Sequence, residues 1–271
     1  ARANAAGGAP TAVSPATAAL VAASLDAASQ TGGAFDPTVY PLTSAWGFTT
    51  GYHQVPSTDE LAALLPRVGY AAVQVDETAG TVTLEGGAQI VVGGVAKGFA
   101  ADELRALLRE RDITSALFDL GGNVTALGSK PDGSPWKVGV ADPDDPGKLA
   151  GLLEVRDATV STSGAYQRYF EGKDGTRYHH LLDPSTGYPA ASDLASASVV
   201  GADGAQCDAL STACFVLGLD GALDLWRAAA ADGDAAFDLV LIASDGRTFV
   251  TDSIADAYTP AAGTNAQVVR S

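Results

Sequence analysis

Ile90-Val91-Val92-Gly93-Gly94-Val95-Ala96-Lys97-Gly98-Phe99-Ala100 is the stretch from which the fold is best predicted. Its apolar, β-branched start is typical of a strand. A glycine pair follows, and the sequence from Ala100 to Arg109 favours a helix. Backbone N–H groups at such a helix N-terminus can bind a phosphate, and Lys97 adds positive charge. The spacing matches neither the Walker pattern nor the dinucleotide-binding fingerprint. On this stretch alone, close packing of a helix on a strand is the simpler interpretation.

The composition is acidic and moderately apolar. The 271 residues carry 32 acidic and 16 basic side chains, a formal net charge of −16, and 46% are hydrophobic. Nucleic acids and anionic membrane faces bind basic surfaces, so the charge argues against both as partners. No run of 18 or more apolar residues is present, so we expect no membrane span.

The two cysteines, Cys207 and Cys214, lie seven residues apart in a predicted helix. They would be separated by about 10 Å along the helix axis. That separation is too large for a disulfide bond. Their spacing does not match a zinc site either. We therefore expect both to be buried and to pack as small apolar side chains.

Periodicity and turn residues predict hairpins with interspersed helices. Ser14-Pro15 and the capping box Ser57–Glu60 are typical helix starts, and Asp174-Gly175 is a typical hairpin turn. A mostly antiparallel α+β fold follows. We expect one domain over residues 1–258 and an irregular tail over 259–271. The predicted segments are helices at 18–28, 61–65, 100–109, 207–217 and 221–230, strands at 71–75, 81–84, 90–92, 116–120, 136–140, 152–155, 159–161, 166–170, 177–181, 195–200, 239–243 and 248–251, and irregular stretches at 1–13 and 32–56.

Three further stretches contain residues suited to chemistry. Asp208 and Thr212 share one face of a predicted helix, and their oxygens suit a hard cation such as Mg²⁺. On this stretch alone, helix-dipole stabilisation by Asp208 and a back-bonded Thr212 are the simpler interpretation. His179 and His180 point to opposite faces of a strand, so one could act as a base and the other would lie on the surface. The hydroxyls in Ser161–Tyr166 could contact a phosphate or form a Ser/Thr-rich turn.

Six short motifs follow one another along nearly the whole chain. They are Gly33-Ala-Phe-Asp-Pro-Thr-Val39 with Trp46-Gly-Phe48, Gly93-Gly-Val-Ala-Lys-Gly98, Leu120-Gly-Gly-Asn123, Ser161-Thr-Ser-Gly-Ala-Tyr166, His180-Leu-Leu-Asp-Pro-Ser-Thr-Gly187 and Asp208-Ala-Leu-Ser-Thr-Ala213. In this order they resemble one family, the FAD:protein FMN transferases or ApbE family.

The resemblance implies an ApbE-like fold and a Mg²⁺-dependent transfer of FMN from FAD to a Ser or Thr hydroxyl of an acceptor protein, with release of AMP. It implies that Asp208, Thr212 and the Gly94 carbonyl hold Mg²⁺, and that Ser211 stands where some members have an acidic ligand. His180 would assist the acceptor hydroxyl. The residues implied to line the FAD site are Ala34, Phe35, Asp36, Lys97 and Leu182.

Two departures from the family pattern accompany the resemblance. The family's N-terminal strand with its Met-Gly-Thr motif and the tyrosine-bearing segment after it are not found, since the sequence begins at Ala1. Val91 stands where many members have an aspartate that contacts FAD. Phe35 and Trp46 could still form walls for the flavin ring. The alternatives are a relative that hydrolyses FAD to FMN and AMP, or a non-catalytic flavin-binding module. Family members also lead us to expect an extracytoplasmic location, periplasmic or as a cell-surface lipoprotein.

Overall fold

The computed structural model describes residues 1–145, 147–232 and 237–271. The chain divides into two compact units. The first unit comprises Ala1–Val95 and Arg168–Ala191, and the second comprises Ala96–Gln167 and Ser192–Ser271. Each unit is therefore built from two separate stretches of the chain. The expectation of a single domain over 1–258 stays a prediction.

Five α-helices are interspersed among mostly antiparallel strands in the described part of the chain, as predicted for the α+β class. The α-helices are α1 (Pro15–Gln30), α2 (Tyr40–Ala45), α3 (Thr58–Leu64), α4 (Ala96–Glu110) and α5 (Gly204–Asp232). The strands are β1 (Thr11–Ala12), β2 (Val73–Asp76), β3 (Thr81–Leu84), β4 (Ala116–Asp119), β5 (Asn123–Leu127), β6 (Trp136–Ala141), β7 (Leu149–Val155), β8 (Thr159–Gly164), β9 (Tyr169–Glu171), β10 (Arg177–His179), β11 (Leu194–Gly201), β12 (Asp238–Ala243), β13 (Thr248–Thr251), β14 (Tyr258–Pro260) and β15 (Ala266–Val269).

In the first unit, α1 packs on a small antiparallel sheet in the order β1-β3-β2. The predicted cap is confirmed, because the Ser14 hydroxyl accepts a hydrogen bond from the Thr17 N–H at 3.2 Å. Val21 of α1 is buried with Val73 and Val82 of the sheet. Burial of these apolar side chains joins α1 to the hairpin.

A second core in the first unit surrounds the β9–β10 hairpin. Leu42, Trp46, Leu61 and Leu182 are buried together. The Trp46 indole N–H donates to the Gly187 carbonyl at 2.8 Å, so the loop after the hairpin is bonded to the turn after α2. A buried indole needs such an acceptor, and this one connects residues 141 positions apart in sequence.

The second unit is a sandwich of two sheets with helices on one side. Its seven strands follow the order β15-β13-β12-β11-β8-β5-β4, and β14-β7-β6 form a separate sheet. Buried residues of both sheets form one core, which includes Val138, Leu153, Val160 and Val240. Helix α5 packs against β8 and β11, and α4 packs against α5. The three predicted hairpins are confirmed. Those around Gly80 and Gly175 belong to the first unit, and the one around Gly246 belongs to the second.

Helix α5 contains the two helices predicted from sequence, joined at a kink. Gly218 has a left-handed φ of +72° and a ψ of −175°, which interrupts the helix. The Asp193 carboxylate accepts from the Leu219 N–H at 2.8 Å and so caps the second half. By length and composition alone, residues 204–231 could also cross a membrane, with a mean hydropathy of 1.3. The core helix of a folded unit passes the same test, and α5 lies against β8 and β11.

Both cysteines are buried and free, as predicted. Burial raises the pKa of the Cys214 thiol to about 12 and raises that of Cys207 even further. A thiol that stays protonated is a poor nucleophile. Their role in α5 is therefore packing.

Several local predictions were wrong. The predicted strand at 90–92 forms no ladder: the Asn4 side-chain amide accepts from the Ile90 N–H and donates to the Ile90 carbonyl, both at 2.9 Å, so a side chain takes the place of a partner strand. The stretch 1–13 contains β1, and 32–56 contains α2. The tail 259–271 is not irregular, because β15 pairs with β13 in parallel and β14 pairs with β7. These strands are short and their partners lie far away in sequence, so local patterns did not reveal them.

The Asn4–Ile90 pair gives the first testable prediction. Asn4→Ala leaves the Ile90 N–H and carbonyl without these partners, so we expect the free energy of unfolding to fall by about 1–3 kcal/mol. Asn265→Ala, at an exposed asparagine, is the matched control and should be neutral. Urea denaturation followed by circular dichroism measures both. Equal stability of the two variants would show that the amide bonds contribute nothing net.

Candidate active site

The N-termini of α4 and α5 meet closely in the second unit. A Cβ atom on Gly98 would lie 1.9 Å from the Gly204 carbonyl oxygen, so a larger residue cannot be accommodated without movement. The Asp102 carboxylate accepts from the Gly204 and Ala205 N–H groups at 3.0 and 2.9 Å and caps α5. Burial raises the pKa of Asp102 and outweighs these two bonds, which lower it. Arg105 donates to the same carboxylate at 2.6 Å. The start of α5 is thereby fixed against α4.

This contact places Asp208 beside the glycine-rich motif at 93–98. The Gly98 N–H donates to Asp208 Oδ2 at 3.1 Å, and the Lys97 ammonium lies 3.6 Å from Oδ1. Asp208 is only 3% exposed, whereas 43% of the Lys97 side chain is exposed. A buried carboxylate needs such donors because its desolvation is costly. The N–H predicted to bind a phosphate is thus bonded to the protein's own carboxylate.

The loop between β4 and β5 also lies beside Lys97. Gly121 and Gly122 have left-handed φ values of +64° and +95°, which glycine adopts without strain. A Cβ atom on Gly121 would be in van der Waals contact with Lys97 Cδ at 3.5 Å. The Gly122 N–H donates to Asp119 Oδ1 at 2.7 Å, which fixes the turn. Two of the six motifs therefore meet at Lys97.

A ladder of buried polar side chains runs along β5 and β8 towards α5. Successive pairs are Thr125 with Thr159 at 2.8 Å, Asn123 with Ser161 at 2.8 Å, and Ser163 with Ser211 of α5 at 2.8 Å. The Ser/Thr-rich turn considered for residues 161–166 is wrong for 161–164, which belong to β8. The alternation of hydroxyls at 159, 161 and 163 was the signal for one face of a strand.

The residues predicted to hold Mg²⁺ offer only oxygen donors. Asp208 supplies a carboxylate and Thr212, half-buried and 3.3 Å from the Ser163 hydroxyl, supplies a hydroxyl. Ser211 is fully buried and donates to the Asp208 carbonyl at 2.8 Å. Among the described residues there is no group of three or more His, Cys, Asp or Glu side chains that could hold a metal. Mg²⁺ keeps several waters and often uses one carboxylate, so this donor set fits it.

The motif at 33–39 forms a self-contained loop in the first unit. The buried Asp36 carboxylate accepts from the Thr38 N–H at 2.7 Å, from the Thr38 hydroxyl and from the Tyr70 N–H at 2.9 Å. The Asp36 carboxylate therefore fixes the conformation of this loop. The predicted contacts of Ala34, Phe35 and Asp36 with FAD stay predictions. Phe35 and Trp46 are 5% and 0% exposed. Both are core residues of this unit, so the interpretation of Trp46 as an open flavin wall loses its support.

His180 follows β10 in the first unit. Its Nδ1 lies 3.1 Å from the Arg168 carbonyl oxygen, which can only accept, so Nδ1 carries the proton and Nε2 is the basic nitrogen of the neutral ring. The His180 ring meets Phe48 edge-on at 6.4 Å. His179, expected on the surface, is half-buried, and burial lowers its pKa.

Four predicted residues are thus brought together in the second unit: Lys97, Asp208, Ser211 and Thr212. The others, Ala34, Phe35, Asp36, Gly94, His180 and Leu182, belong to the first unit, where Leu182 is a core residue. Their roles as FAD, metal or catalytic residues stay predictions. Sequence reasoning missed the involvement of Asn123 with the Asp208 group.

The family model described as the ApbE family matches residues 1–237. The chain belongs to the ApbE family. Its strand and helix arrangement is also that of solved members. The ApbE protein of Thermotoga maritima superimposes with a TM-score of 0.85 at 34% identity, covering 94% of this chain and 82% of that one. The apo flavinyl transferase ApbE of Pseudomonas stutzeri gives 0.79 at 32% identity, with coverages of 94% and 79%. The predicted family and α+β fold are confirmed.

The curated relatives carry a functional name. The FAD:protein FMN transferase of Treponema pallidum is 40% identical over 237 residues, which are 82% of this chain and 65% of the relative. This ApbE chain therefore spans slightly less than two-thirds of the length of that relative.

The contact between α4 and α5 gives the second prediction. Gly98→Ala forces the added methyl group into the Gly204 carbonyl, so we expect the free energy of unfolding to fall by about 3 kcal/mol. Gly93→Ala is the control, because its Cβ would meet only a Val91 methyl group at 3.9 Å. It should stay within about 0.5 kcal/mol of the wild type. Thermal denaturation compares the two. A Gly98→Ala protein as stable as the control would show that α4 and α5 separate at no cost.

Proposed function

We propose that this chain transfers FMN from FAD to a Ser or Thr hydroxyl of an acceptor protein and releases AMP. The observation that carries the proposal is the buried Asp208 carboxylate of α5. It accepts from the Gly98 N–H at the start of α4 and lies near the Lys97 ammonium and the Ser161 hydroxyl of β8. Such a site offers a cation ligand and a positive charge to a diphosphate. Membership of the ApbE family and the name of the Treponema pallidum relative support the same chemistry.

The proposed reaction is a phosphoryl-type substitution. The acceptor hydroxyl oxygen forms a bond to the FMN-side phosphorus of FAD while the bond from that phosphorus to the bridging oxygen breaks. The bridging oxygen leaves with AMP, and the hydroxyl proton passes to a base. Negative charge grows on the phosphoryl oxygens and on the leaving AMP, so catalysis depends on positive charge at the diphosphate.

We propose that Asp208 and Thr212 hold Mg²⁺, with the Gly94 carbonyl as a further ligand. Ser211, which stands where some members have an acidic ligand, is included in the same proposed metal site. When bound, the ion would neutralise charge on the diphosphate and on the leaving group. Lys97 would add a second positive charge from its partly exposed side chain. Gly98 fixes one oxygen of the Asp208 carboxylate through its N–H, so the carboxylate is oriented before any ligand arrives.

His180 is the proposed base for the acceptor hydroxyl. The Arg168 carbonyl holds the proton on Nδ1, which makes Nε2 the atom that can take a proton. Ala34, Phe35, Asp36 and Leu182 complete the proposed FAD site. An extracytoplasmic location, which rests on the family resemblance, is part of the same proposal.

The direct test uses the full chain with FAD, Mg²⁺ and an acceptor protein of a named FAD:protein FMN transferase. We expect a fluorescent flavin band on the denatured acceptor, one AMP per flavin attached, and loss of both when Mg²⁺ is removed by a chelator. AMP and free FMN formed without acceptor would indicate FAD hydrolysis instead. Failure of FAD to bind in a flavin-fluorescence titration would contradict the proposal altogether.

The third prediction concerns Asp208. Asp208→Asn preserves the shape of the side chain and its acceptor for the Gly98 N–H but removes the charge that a cation requires. We expect Mg²⁺-dependent AMP release to fall at least about 100-fold, as loss of a major electrostatic group does. Asp220→Asn, at an exposed aspartate further along α5, is the matched control and should keep full activity. Full activity of Asp208→Asn would remove Asp208 from the metal site.

The fourth prediction concerns His180. His180→Ala removes the proposed base, so kcat for transfer should fall about 100-fold while the affinity for FAD changes less than about threefold. His53→Ala is the control: His53 is exposed and its ring also contacts Phe48, at 5.5 Å. It should change neither value more than about threefold. Equal losses of kcat and FAD affinity in His180→Ala would assign His180 a structural role.

A further inference from the structure

The side chain of Asn123 is fully buried at the start of β5 and is only partly satisfied. Its Oδ1 accepts from the Ser161 hydroxyl at 2.8 Å. Its Nδ2 has no hydrogen-bond partner among the described residues and is inaccessible to solvent. A buried amide N–H without a partner loses its interaction with water and gains nothing in return. This arrangement calls for a physical explanation.

Ser161 stands between Asn123 and Asp208. Its single hydroxyl hydrogen has two acceptors, Asn123 Oδ1 at 2.8 Å and Asp208 Oδ1 at 3.5 Å. With the hydrogen on the Asn123 side, lone pairs of the Ser161 oxygen face the negative carboxylate. That orientation is unfavourable next to a charge that is 3% exposed.

Turning the Asn123 amide by 180° removes both difficulties. Nδ2 then donates to the Ser161 oxygen, and the Ser161 hydroxyl donates to Asp208 Oδ1. The buried N–H group gains an acceptor and the carboxylate gains a donor. The carbonyl oxygen takes the unpartnered position, where an unsatisfied acceptor is tolerated better than an unsatisfied N–H.

We infer that Asn123 and Ser161 are positioning residues, which act as a hydrogen-bonded relay that orients the Asp208 carboxylate for its cation. The inference rests on the metal role given to Asp208 under the proposed function. Gly98 fixes Oδ2 through its N–H, and the relay fixes Oδ1, so rotation about the Cβ–Cγ bond of Asp208 is prevented. Partners of this kind typically change metal affinity about 10–100-fold when they are removed.

The chain contains its own control for a purely structural role. Thr125 and Thr159 lie on the same two strands, two residues along, and their buried hydroxyls are also 2.8 Å apart. This pair makes the same kind of cross-strand bond as Asn123 and Ser161. Within the part of the chain that the structure describes, neither threonine is hydrogen-bonded to Asp208, so the pair should support the sheet without affecting the cation.

The experiment is a titration of the full chain with Mn²⁺, followed by the EPR signal of the free ion, because Mn²⁺ prefers the same oxygen ligands as Mg²⁺. Ser161→Ala and Asn123→Ala should each weaken Mn²⁺ binding about 10-fold. The double variant should be no weaker than either single variant, because the two residues act in series. Thr125→Val should bind Mn²⁺ as the wild type does. Circular dichroism confirms that each variant is folded at the titration temperature.

The outcomes separate the two proposals. Mn²⁺ binding by Ser161→Ala that equals that of the wild type overturns the relay and leaves the metal site intact. Equal weakening in Thr125→Val also overturns it, since the effect would then belong to the sheet. Absence of Mn²⁺ binding by the wild type, tested with and without FAD, overturns the metal assignment and the relay together.

Discussion

The burial of one negative charge is the constraint on which the second unit depends. Asp208 lies within α5 and is almost inaccessible to solvent, so its carboxylate must find donors in the protein. The Gly98 N–H and the Lys97 ammonium supply them from the first turn of α4. Together with the Asp102 cap at the start of α5, these two contacts hold α4 against α5. The close approach leaves no room for a side chain at Gly98, since the Gly204 carbonyl fills the space that a methyl group would need.

The same constraint connects four motifs that are far apart in sequence. Lys97 lies beside the turn at Gly121. Two residues after Gly121, Asn123 is hydrogen-bonded to Ser161, which leads back to Asp208. Each motif alone is a weak indication of function, because its glycines and hydroxyls also have ordinary structural explanations. Where they meet, the four motifs together surround the buried Asp208 carboxylate with fixed dipoles, which stabilise its charge. Fixed dipoles around a carboxylate are also what a cation site requires.

Local sequence patterns predicted those parts of the fold that local physics determines. The Ser14 cap of α1 and the three hairpins depend on neighbouring residues and were found. Segments that depend on distant partners were not. The stretch at 90–92 has strand composition, but the Asn4 side chain, 86 residues away, takes the place of a strand. In the candidate site, the family motifs identified Asp208 and Lys97. The role of Asn123 needed the structure, because only the fold places it opposite Ser161.

The acidity of the chain makes the local arrangement around Lys97 more significant. With a net charge of −16, the protein as a whole repels a diphosphate. A ligand such as FAD can bind only where local positive potential outweighs that background. In the second unit, the N-terminus of α4 and the Lys97 ammonium provide such potential, but Asp208 partly cancels it. A divalent cation on Asp208 would reverse the sign of that contribution. These electrostatics therefore favour the cation dependence that we propose for this site.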